Sequence, residues 1–375
     1  MNTVPFRERR YDIDWLRAFA IIIVFLFHCA VFFSNEYWHV KNNRLNFGMT
    51  VFVVVVIQWI MPLFFVLSAV SANYALEHRT NRAYIYERFT RLVVPLLFGM
   101  IVLSPPQVYI ERLTHGEFKG SFAEFILHYF EGFYRLGGNF AWMGLHLWYL
   151  EMLFIFSIVT LPLFRHLRKE TAQTFLTMLA GLCTRRGALF LLALPIGVTE
   201  MLVNLKQGIL SRRDFGGWSP LVYLVVFVLG YVIASDRRFR LQIEKQRIVA
   251  LIMGVITSMA GYFILISGGS SSSMSFSLLR AFNSWFWVLM ILGFGSRYLT
   301  FSTRYLKYAN EAVLPFYILH QPVIVILGYS IAGWDANILV KYALLSTFSF
   351  LVVGLLYERV IRRSNFLQFV FGCYR

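Results

Sequence analysis

Ile13–Phe33 reads I-D-W-L-R-A-F-A-I-I-I-V-F-L-F-H-C-A-V-F-F. As a helix, this run is long enough to span a bilayer. Yet Asp14 and Arg17 stand at its start, and His28 lies well inside it. At about 100° per residue, spacings of three, eleven and fourteen return to nearly one angle, so the three residues share a face. Arg17 and His28 are then about 16 Å apart along the axis. A charge facing lipid costs roughly 2.5–3.5 kcal/mol on insertion scales, so this face turns toward other helices or a wet cavity. Two readings fit it. Either the three residues satisfy one another as a structural cluster, or they line a reaction site in which His28 handles protons.

The rest of the chain follows this run. Of 375 residues, 58% are hydrophobic and 14% charged, against about 45–50% and 25% in soluble domains. With several apolar runs of about 20 residues, the chain is expected to be an all-α polytopic membrane protein, one membrane domain over residues 1–375. No interval between runs is long enough to bury a core of its own. The net charge of +16 does not point to nucleic acid. The basic residues gather at helix ends, as membrane anchoring requires, and form no stripe with interleaved aromatics. Cys29, Cys183 and Cys373 are scattered, with no CxxC and no metal spacing, so neither a disulfide framework nor a metal site is expected. The basic N-terminus followed by an apolar run resembles a leader, but the run is too long and too polar; it reads as a retained first span.

Hydropathy gives about ten spans: Ile13–Phe33, Met49–Ala72, Leu92–Ile110, His146–Phe164, Gly187–Leu205, Trp218–Ala234, Ile248–Ser267, Ser277–Gly295, Glu311–Ile331 and Asn337–Ile361. Twenty-four Lys and Arg residues, from Arg7 to Arg375, fall at one set of ends. Eight fall at the other: Lys41, Arg44, Arg112, Lys119, Arg135, Lys206, Arg212 and Arg213. The positive-inside rule therefore puts both termini in the cytoplasm and the serine-rich Gly268–Ser275 outside.

Several ionisable residues interrupt these runs. Glu151 lies in the apolar helix H-L-W-Y-L-E-M-L-F, about 7 Å deeper than His146. An intramembrane carboxyl is a functional-site hypothesis by default, with pairing to an Arg or His for assembly as the plain alternative. His320 lies near mid-membrane in F-Y-I-L-H-Q-P-V, where Pro322 frees a backbone carbonyl nearby. A hydrogen-bonded structural histidine is the competing reading there. Arg88 and Arg91, three apart in R-F-T-R, lie on one helix face at the cytoplasmic surface. They serve either as anchors or as a clamp for a phosphate-bearing ligand. The long segment Glu111–Leu145 is rich in aromatics and reads as a helical piece at the outer interface. No nucleotide-binding glycine loop, H-E-x-x-H or G-x-S-x-G is present in the sequence.

In order, D-W-L-R-A with F-L-F-H, P-L-F-F-V-L-S, R-F-T-R-L-V-V-P, H-L-W-Y-L-E and F-Y-I-L-H-Q-P-V resemble the acyltransferase-3 family of membrane O-acyltransferases. The likeness runs over nearly the whole chain and is nearest to a branch associated with succinylation of periplasmic glucans. It implies about ten membrane helices, a cytoplasmic acyl-CoA donor and a sugar hydroxyl outside as acceptor. It also implies no bound cofactor. By that resemblance His28 is the catalytic histidine and Arg17 the first-helix arginine. Arg88 and Arg91 are the donor-binding pair, and Glu151 falls where many members carry an acid. His146 and Leu147 replace the Trp and Ser that usually precede that acid, and Ala69 stands where the family has Gly.

The residues and the resemblance converge on a bacterial-type plasma-membrane enzyme. It would move an acetyl or succinyl group from acyl-CoA inside to a glycan outside. His28, Arg17, Glu151, Asp14 and His320 are its candidate catalytic residues, and Arg88 and Arg91 bind the donor. The alternative is a secondary transporter or flippase for a sugar-linked substrate, with Asp14, His28, Glu151 and His320 as a proton relay.

Overall fold

The computed structural model describes residues 9–205, 213, 216–270 and 273–373. Arg7, Lys206, Arg212 and Arg375, and Ser271 and Ser272 of the serine-rich loop, lie outside the described residues. Helices dominate. No β-strand occurs among the described residues, and one isolated bridge joins Phe133 and Phe140.

Twelve helices carry the architecture: α1 (Tyr11–Val31), α2 (Phe47–His78), α3 (Asn81–Thr114), α4 (Leu145–Val159), α5 (Glu170–Leu182), α6 (Ala188–Leu205), α7 (Pro220–Ser235), α8 (Arg237–Lys245), α9 (Arg247–Ile266), α10 (Met274–Tyr298), α11 (Arg304–Ile331) and α12 (Ile338–Arg363). All ten hydropathy segments fall on helices. Eight of these helices are long and apolar enough to cross a membrane, among the described residues. The fourth and sixth segments fall on the shorter α4 and α7. The fourth run breaks at Thr160, where Pro162 begins a separate turn, Leu161–His166. The sixth ends at Asp236, and α8 leaves α7 at 102°. Charge explains the bend: α8 buries only Phe239 and Ile243, so its basic face stays at the boundary.

α1 sits inside the bundle, packed against α2, α10, α11 and α12. Burial of Leu16, Ala20, Val24 and Phe25 fixes its rotation and turns the Arg17–His28 face inward. α2 and α7 approach closely at Gly230. A Cβ there would lie 2.8 Å from both Ala69 Cβ and Val66 Cα. The glycine expected at position 69 is thus supplied by the facing helix.

Prolines inside the helices release carbonyls, and the fold uses them. Pro62 cannot bond Gln58, and α2 breaks at Trp59; the Trp218 indole N–H donates to that carbonyl at 3.2 Å. Pro315 releases Glu311, whose carbonyl faces Cys373 Sγ at 3.8 Å. Pro322 releases Ile318. α3 keeps Pro95 and Pro105 by widening to π-helical turns over Phe89–Val93 and Gly99–Leu103. It runs on to Thr114, so Glu111, expected at the start of a loop, is the buried last turn of a helix.

Candidate active site

Two cavities meet the polar face of α1 at different depths. The first, about 1060 Å³, lies at the basic end of the bundle. Arg17, Arg88, Arg91 and Arg79 line it with Arg9, Lys307 and Arg362, against the carboxylates of Asp14, Glu87 and Glu311. Arg9 and Cys373, near the two ends of the described chain, both reach this cavity. Arg17 holds Asp14 at 3.6 Å and donates to Ser71 Oγ at 2.6 Å. Arg91 and Arg79 both face Glu87. Arg88 stacks over the Tyr84 ring at 4.9 Å, with its buried Nε unbonded among the described residues. The Arg88–Arg91 pair therefore shares a face as its spacing requires, despite the π-helical turn that begins at Phe89.

The second cavity, about 310 Å³, lies toward the opposite end. His28, His146, Tyr317 and Gln321 line it, beneath Tyr37, Trp38, Tyr134 and Trp142. Here the structure brings together His28 and His320, which lie 292 positions apart in the chain. Carbonyls only accept, so they fix the histidine tautomers. His28 Nδ1–H donates to Val24 O at 2.9 Å, which leaves Nε2 with the lone pair. His320 Nδ1–H donates to Tyr317 O at 2.7 Å, so its Nε2 accepts from His28 Nδ1 at 3.2 Å. His320 is fully buried and does not line the cavity; it holds the His28 ring from behind.

His146 completes the group. Its Nε2–H donates at 3.1 Å to Ile318 O, the carbonyl Pro322 releases. Its ring centre lies 5.3 Å from that of His320. The Tyr317 hydroxyl closes the arrangement by donating to the His146 carbonyl. The sequence marked both the freed carbonyl and His146, but not that one orients the other.

Between the cavities stands Tyr149. Its hydroxyl bonds Ser68 Oγ at 2.6 Å on the basic side, and its ring lies 6.0 Å from that of Tyr317 on the other. Glu151, two residues on, lines neither cavity, and its buried Oε2 has no hydrogen-bond partner among the described residues. Asp14 belongs with Arg17 and Arg9 in the basic cavity, away from the histidines.

Comparison with known proteins gives this geometry its context. A family model described as an acyltransferase domain matches residues 10–358. The chain belongs to the acyltransferase-3 family. Glucans biosynthesis protein C of Shigella dysenteriae serotype 1 (strain Sd197) is 23% identical over 337 residues, covering 88% of this chain and 85% of the relative. Glucans biosynthesis protein C of Salmonella paratyphi A (strain ATCC 9150 / SARB42) is 23% identical over 387 residues, covering 99% and 96%. The protein of the same name from Escherichia coli (strain K12 / DH10B) is 23% identical over 337 residues. No solved structure matches. The protein is thus a multi-pass membrane acyltransferase. Around the two cavities stand groups that the order of motifs did not single out: Tyr317 on the wall of the second, Tyr149 between the two, and the buried Glu111 behind Tyr37 and Tyr134.

Proposed function

We propose that this acyltransferase takes an acetyl or succinyl group from acyl-CoA on the cytoplasmic side of a bacterial-type plasma membrane. It passes the group to a hydroxyl of an extracytoplasmic glycan. The observation that carries this reading is the pairing of the two cavities on one helix face. A basic chamber suited to phosphates lies at Arg17, and a neutral histidine with a free Nε2 lies about 16 Å further along α1.

The roles follow from those positions. Arg88 and Arg91 hold donor phosphates. Arg17, too distant from His28 to touch the same carbonyl, orients the donor arm as it enters. The acyl end passes Tyr149 and reaches the histidine cavity. His28 Nε2 takes the proton of the acceptor hydroxyl as the oxygen attacks the thioester carbon, a task worth typically 10²–10⁴-fold. The C–S bond breaks, and the proton leaves with the CoA thiolate. His320 is a positioning residue that keeps Nδ1–H of His28 occupied. His146 borders the acceptor.

Thiol release from acetyl-CoA and succinyl-CoA, with crude cell-surface glycans as acceptor, tests this on protein purified in lipid. Acceptor-dependent release is expected, lost in His28→Ala while the unfolding temperature is kept. Full turnover in that variant would remove His28 from the chemistry.

A further inference from the structure

Above the histidine cavity, two loops that share no helix are tied to one buried carboxylate. Glu111 is 1% exposed. It accepts from the Tyr37 hydroxyl at 2.9 Å, from the Tyr134 hydroxyl at 2.7 Å, and from His39 Nδ1–H. His39 Nε2 in turn accepts from Gln321 at 3.2 Å, beside His320 in sequence, and Gln321 donates to Gln107 Oε1 at 3.0 Å. Arg112 secures the second loop through Gly138 O and Asn139 Oδ1. Burial, and then the Glu111 carboxylate, push the Tyr37 hydroxyl up to about 12, and the same causes raise that of Tyr134. Both therefore remain donors at neutral pH. A carboxylate this deep is tolerable because three donors meet it and the Arg112 guanidinium lies 3.9 Å from Oε1.

The consequence is a roof of fixed aromatic rings. Tyr37 and Tyr134 are anchored by their hydroxyls and line the cavity, with Arg112 over one side of the Tyr134 ring at 5.6 Å. Trp142 is 41% exposed at the rim. Trp38 lies deepest, its ring centre 6.3 Å from that of His28. Rings of this kind present flat apolar faces with polar groups close by. A pyranose is the complementary shape: its C–H face packs on a ring while its hydroxyls stay at the edge. Trp38 itself is buried, so the rings open to a sugar are those of Tyr37 and Trp142, above the cavity that His28 lines.

We infer that this roof is a carbohydrate subsite that binds the sugar rings of the acceptor, with Glu111 as the positioning residue that holds it in shape. This rests on reading the histidine cavity as the acceptor side. Oligoglucosides of one to six residues, titrated against the full-length protein in lipid nanodiscs by calorimetry, are the probe, with CoA titrated alongside. Affinity is expected to rise over the first few sugar residues. Trp142→Ala and Glu111→Gln should each weaken binding by about tenfold or more while CoA binding is unchanged. Tyr134→Phe keeps the ring and removes one donor, so it decides the matter should Glu111→Gln not fold. Three results overturn the inference: no binding of any oligoglucoside, binding indifferent to these changes, or parallel loss of CoA binding. Transfer to another acceptor without oligoglucoside binding would overturn the roof and leave the transferase reading standing. Binding without thiol release would do the reverse.

Discussion

His28 Nε2 is free because a carbonyl of its own helix and His320 both engage Nδ1. Two histidines deep in apolar helices were legible as unusual, since a bilayer rarely tolerates such residues without use. That they meet was not, because pairing across 292 residues leaves no local trace. Glu151 carried the same signal yet lines neither cavity. An ionisable residue in a span announces a polar neighbour without saying which one. Arg88 has an unbonded Nε on the wall of the basic cavity. Arg88→Ala should raise the KM for acyl-CoA ~10-fold or more, the value of a charged hydrogen bond. The acceptor KM should not change. Steady-state kinetics with each substrate varied in turn would check both.

Helices succeed or fail here on small backbone details. Pro322 is the clearest, because it leaves Ile318 without an intrahelical partner and so fixes His146. Pro322→Ala restores an N–H that competes for that carbonyl. Transfer should fall while the protein unfolds no earlier than the native form, as paired activity and thermal scans would register. Gly230 matters for contact: α2 backbone atoms occupy the space a side chain would need. Gly230→Val should destabilise by about 1–3 kcal/mol through overpacking, seen as a lower unfolding temperature. The apolar runs marked where helices lie but not where they stop. α3 continues past Ile110, where the apolar run ends, and Glu111 beyond it is buried in a hydrogen-bonded set that composition does not display. α7 stopped because the following residues, from Arg237 to Lys245, are charged on one side and apolar at Phe239 and Ile243.

Across the whole molecule, the basic residues and the histidines line two separate cavities at different depths along α1, with Tyr149 between them. A soluble transferase has no need for that separation; an enzyme that takes its donor on one face and its acceptor on the other does. The orientation predicted from charge asymmetry assigns the basic cavity to the cytoplasm. Ser273 and Arg304, on either side of α10, then provide a check. A membrane-impermeant thiol reagent should label Ser273→Cys in intact cells and Arg304→Cys only after lysis. Transfer across the bilayer itself is the sharper question. Protein reconstituted in one orientation into sealed vesicles, with a glycan acceptor inside and radiolabelled acyl-CoA added at the basic face, would answer it directly. Label on the enclosed glycan and free CoA outside are expected, with neither when His28 is replaced by Ala. Label only on glycan supplied at the same face as the donor would contradict it.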